Sequence, residues 1–147
     1  MSERIASPVR IGLGMLAVSA LVIGIWAGLA PRAFYDDFPG LGRVWVAIDG
    51  PYNEHLVRDV GWLNLALAAA TVWAAITLSR PLAIGVLVAW LATSVPHLLY
   101  HSANLDGLSP GDRLGELTSL ALVPLMAAAL LVIVVRDRPT EAPVPGA

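Results

Sequence analysis

Val60–Ser79 (VGWLNLALAAATVWAAITLS), Arg80 alone, then Pro81–Leu105 (PLAIGVLVAWLATSVPHLLYHSANL) is the stretch that decides how this chain folds. A helix rising about 1.5 Å per residue needs roughly 20 mostly apolar residues to cross about 30 Å of hydrocarbon. Both runs reach that length without a formal charge. In lipid the backbone has no water to pair with, so a spanning run must be a helix. One arginine separates the two runs. Pro81 suits a first helical turn, where its missing N–H would be unpaired anyway. The two spans therefore read as a tight antiparallel hairpin.

Working outward, Ile11–Ala30 and Leu117–Val135 are likewise free of charge and flanked by arginines or acids. The expectation is an all-α fold, a transmembrane four-helix bundle with spans at about 11–30, 60–79, 81–105 and 117–135. Residues 1–10 form a short tail, 11–135 the membrane domain, and the Pro-rich 136–147 a disordered tail. Composition agrees. The 147 residues are 57% hydrophobic and 14% charged, against roughly 25% charged in soluble domains. With a net charge of −2 and no basic stripe, nucleic acid is not a partner; the lipid bilayer is. Without any Cys, disulfides and thiolate chemistry are excluded.

Four spans put both termini and Arg80 on one side, with Arg4, Arg10, Arg136 and Arg138 in short flanks. Arg32, Arg43, Arg58 and Arg113 are spread over longer loops on the other. The positive-inside rule then places both termini in the cytoplasm of a multi-pass plasma-membrane protein. The first apolar run exceeds the usual signal-peptide core and reads as an uncleaved anchor.

Polar chemistry collects at the opposite, outer end. All the aromatics except Trp73 and Trp90 fall in or beside the outer segments. An interfacial belt would populate both ends, so Pro31–Asp59 reads as a folded outer loop between the first two spans. As a helix, 51–62 pairs Glu54 with Arg58 and His55 with Asp59, both i,i+4. These pairs are either local ion pairs at a wetted helix start or a clamp, with Arg58, Glu54 and Asn64 as ligand-binding residues. In the third span, Trp90, Thr93, Ser94, His97, His101 and Asn104 form one polar stripe. His97 and His101 are i,i+4, so both imidazoles project to one side. Together with His55 and Asp59 they make a candidate divalent-metal set for zinc, copper or iron. The competing reading is that each histidine is wetted and hydrogen-bonded. Gly24-x-x-x-Gly28 is a close-approach motif for a helix of this chain or of a partner.

The segment Asn53-Glu54-His55-Leu56-Val57-Arg58-Asp59-Val60-Gly61, opening the second of four short helices, resembles the small DoxX-like and DUF4345-type membrane proteins. The Tyr35–Gly40 and Pro96–His101 segments look closer to an actinobacterial subgroup. The resemblance implies a redox-associated role. Read from the residues, the chain is an accessory or ligand-binding membrane protein with an outward-facing His/carboxylate site. Two alternatives are a structural subunit of a larger redox or envelope complex, docking through Gly24 and Gly28, and a quinone- or lipid-linked enzyme. The partners these readings imply, besides the bilayer, are a homo-oligomer or a larger membrane complex, and a homo-oligomer alone counts against the structural-subunit reading. No phosphate loop, HExxH helix or nucleophile elbow argues for catalysis.

Overall fold

The computed structural model describes residues 1–137; the expected disorder of the tail falls almost wholly outside them. Four long helices run Glu3–Leu29 (α1), Glu54–Thr77 (α3), Arg80–Ala103 (α4) and Pro110–Arg136 (α5). All four are long and apolar enough to cross a membrane, and together they form the four-helix bundle of a multi-pass membrane protein. A short helix, Pro31–Asp37 (α2), and two antiparallel two-residue strands, Pro39–Gly40 (β1) and Arg43–Val44 (β2), build the loop between α1 and α3. That loop is folded, as the aromatic bias predicts.

Local chemistry explains the helix boundaries. Pro31 starts α2 immediately after Ala30 closes α1. Asn53 caps α3, its side-chain oxygen accepting from Leu56 N–H at 3.2 Å, and Leu78 ends α3 in the left-handed conformation at φ 49°. Ser109 caps α5 through Asp112 N–H at 3.1 Å, with Pro110 beside it. Such caps satisfy amide donors that have no partner within the helix.

The tightest seam joins α1 to α3. A Cβ added at Gly61 would sit 2.2 Å from the Gly28 nitrogen, and one at Gly24 would meet Leu65 at 2.8 Å. Only glycine lets these two backbones approach so closely, and close approach is what drives helix association in lipid. Gly24 and Gly28 are therefore buried inside the chain. This corrects their reading as an outward docking face: α3 already occupies it. α4 packs mainly on α5, while α3 and α4, despite their two-residue connection, share less of their length. The core includes Leu13, Leu16, Leu87 and Val134, each with no exposed surface. It contains one buried polar link between helices, Trp90 Nε1–H donating to Thr71 Oγ1 at 3.0 Å.

Arginines stitch helix ends to their neighbours. Arg10 Nε donates to Ala75 O at 3.1 Å near the end of α3. Arg80 donates to Val134 O and Val135 O at 3.1 and 2.9 Å near the end of α5. Arg58 donates to Gly28 O at 2.6 Å near the end of α1. Each places a cation at unpaired C-terminal carbonyls and at the negative end of a helix dipole. At the far end from the loop, Ser2 N–H and Oγ–H donate to Asp137 Oδ2 and Oδ1 at 2.8 and 2.6 Å. The start of α1 and the finish of α5 therefore share one end of the bundle, as an even number of crossings requires.

Candidate functional site

The loop end is organised by a packed aromatic cap. Phe34 lies 4.8 Å from Phe38 and 5.8 Å from Trp26, ring centre to ring centre, over Ala27 and Val57. Tyr35 O–H donates to Gly50 O at 2.5 Å, and Arg32 lies 4.9 Å from the Tyr52 ring centre. The cap is tied to α5 at Asp112, whose Oδ1 accepts from Trp45 Nε1–H at 3.1 Å and from Arg43. Gly115 leaves room for the Trp45 ring, which a Cβ there would meet at 3.3 Å.

One residue further along α5 is Glu116, only 3% exposed. Its Oε1 lies 2.9 Å from His101 Nδ1, near the end of α4. On the cap side, Asp49 Oδ2 lies 4.0 Å from the same nitrogen. The Nδ1–Oε1 separation is that of an ion pair. His101 Nδ1 and Glu116 Oε2 are the only buried side-chain nitrogen or oxygen atoms among the described residues without a hydrogen-bond partner.

Burying a carboxylate is costly unless it is neutralised or paired. Two arrangements keep one proton between these groups: imidazolium beside carboxylate, or imidazole beside carboxylic acid. Either leaves an oxygen facing no donor. His97, one turn back on α4, stacks edge-on with His101 at 4.6 Å between ring centres.

The remaining candidates are placed differently. His55 Nε2 sits 3.4 Å from Asp59 Oδ2, but its side chain is 83% exposed. Arg58 is held by Glu54 at 2.8 Å, as the i,i+4 spacing predicts, and its other bond goes to Gly28 O. That makes it a helix-end brace in this structure. Asn64 Nδ2 donates to Val60 O at 2.8 Å, so its amide is engaged within its own helix. Among the described residues no three His, Cys, Asp or Glu side chains are grouped to hold a metal ion. The expected set of His55, His97, His101 and Asp59 is not assembled: His55 turns to Asp59 along α3, whereas His101 turns to α5 and the cap. The polar stripe on α4 is largely closed on itself, with Thr93 and Ser94 donating to Trp90 O at 3.0 and 2.6 Å and Asn104 to Tyr100 O at 2.7 Å.

Sequence reasoning did not single out Asp49 and Glu116 as partners of His101. The available signal was the Ser109 cap. It starts α5 early enough to put Glu116 on the helix, one turn beyond Asp112 and facing the same way. In comparisons with protein-family models, curated proteins and solved structures, the chain matches none.

Proposed function

We propose that this protein binds a small polar ligand at its loop end, on the outer side of the plasma membrane, in an accessory rather than catalytic capacity. His101 and Glu116 are the contacts, and the Asp49 loop is the roof. The supporting observation is the pair of buried, unpartnered atoms, His101 Nδ1 and Glu116 Oε2. An ionisable pair buried where two spans meet the interface is a functional hypothesis by default, because its burial is costly. Nδ1 already faces Glu116 Oε1 at 2.9 Å, so the free acceptor is the carboxylate oxygen Oε2, with the Asp49 carboxylate near. The complementary ligand therefore presents hydrogen-bond donors, as an ammonium or hydroxyl group does. A DoxX-like, redox-associated setting remains part of this proposal through sequence resemblance alone.

The test is a melting-temperature titration in mild detergent with ethanolamine, glycerol and Zn(II). A donor-bearing headgroup should raise the melting temperature of the parent saturably and leave Glu116→Gln unmoved. The variant is read against its own ligand-free melting temperature, which should fall because His101 loses its buried partner. A parent indifferent to ethanolamine and glycerol would refute the proposal. A response to Zn(II) alone, lost in His97→Ala/His101→Ala, would restore the metal reading.

A further inference from the structure

A second binding site is offered by a lateral groove at the other end of the bundle, between α1 and α3. It has a volume of about 560 Å³ and is lined by Gly14, Ala17, Val18 and Leu21 of α1 and Val72, Ala75 and Ile76 of α3, with Arg10 at one end. We propose that this groove holds one acyl chain of an anionic phospholipid, whose phosphate is met by Arg10.

Depth carries the first part of the argument. Arg10 bonds to Ala75 O, two residues before α3 ends at Thr77, so the guanidinium lies about 3 Å from the helix end at about 1.5 Å per residue. From Arg10 to Leu21 the groove runs about 16 Å along α1 by the same rise. One leaflet of a bilayer about 30 Å thick is about 15 Å deep. The groove thus runs from the headgroup level to the midplane, the length of one lipid tail.

Charge complementarity carries the second part. A guanidinium has five N–H donors; Arg10 uses Nε on a carbonyl and makes no ion pair among the described residues. It is exposed at the depth where a lipid phosphate sits. Shape supplies the third. A Cβ added at Gly14 would meet nothing within 4 Å, so the floor of the groove is open. In lipid, apolar surfaces associate through packing rather than water exclusion, and a concave wall gives a chain more contacts than a flat one.

The experiment is native mass spectrometry of the full chain released from membranes of equimolar phosphatidylglycerol and phosphatidylcholine. The parent should retain one phosphatidylglycerol over phosphatidylcholine by about five- to tenfold, the scale of one arginine near an anionic surface. Arg10→Gln should lose that preference, and Arg10→Lys should keep it. Gly14→Leu fills the groove without touching the core, so it should shed both lipids while melting with the parent. Equal retention of the two lipids by the parent overturns the proposal whatever the variants do. So does retention of phosphatidylglycerol at the parent level by a folded Gly14→Leu protein.

Discussion

The α1–α3 seam and the His101–Glu116 pair are both buried contacts between neighbouring helices, yet they are built on opposite terms. In the seam, Gly24, Gly28 and Gly61 remove side chains so that backbones touch, and no polar group is left over. At the loop end, two titratable side chains are driven into a packed interface and two of their atoms stay unmatched. Close packing explains itself by stability. An unsatisfied buried carboxylate does not, and that contrast is the ground of the proposed ligand site.

The sharpest way to break the comparison is at its most crowded point. Gly61→Leu forces a Cβ to within 2.2 Å of the Gly28 nitrogen. Overpacking of this kind costs about 3 kcal/mol or more where rigid backbone is the obstacle. The expected outcome is loss of the monodisperse folded species on size exclusion and a collapsed melting transition. Gly14, on α1 but facing open space, provides the matched control.

A smaller effect sharpens the other side. Asp112 joins Arg43, Trp45 and Ser109, so Asp112→Asn should loosen the cap and leave the bundle standing. Hydrogen exchange should quicken across residues 38–50 with α1 and α3 unchanged. Equal acceleration in the helices would mean that cap and bundle are one cooperative unit.

The smallest effect lies at the far end. The two hydrogen bonds from Ser2 hold the Asp137 carboxyl below its ordinary value of 3.8. A folded-state value below the unfolded one stabilises above the ordinary value, and that contribution is lost as pH falls through the folded value. Titration of the Asp137 carboxyl by NMR should show the depressed midpoint, and Ser2→Ala should return it towards 3.8.

Much of this architecture is readable from charge-free runs alone, because a span must be long, apolar and helical. The ends are less so. α1 begins at Glu3, ahead of the charge-free run that opens at Ile11, and α5 at Pro110, ahead of the run that opens at Leu117. Hydropathy reports where lipid lies, whereas a helix continues into the headgroups until a cap such as Ser109 stops it. The site divides along similar lines. Glu54–Arg58 and His55–Asp59 follow from spacing, since both partners share a helix. His101 with Glu116 and Asp49 joins three separate segments, and no spacing rule within one helix encodes that meeting.

The pairing of helices also bears on how the protein is made. α1 packs best on α3, the next span to emerge, and α4 on α5, the next after it. The two main seams thus join spans that are neighbours in sequence, an arrangement in which neither hairpin needs the other to find its principal contacts. Until α3 is in place, the glycine face of α1 has no partner to cover it.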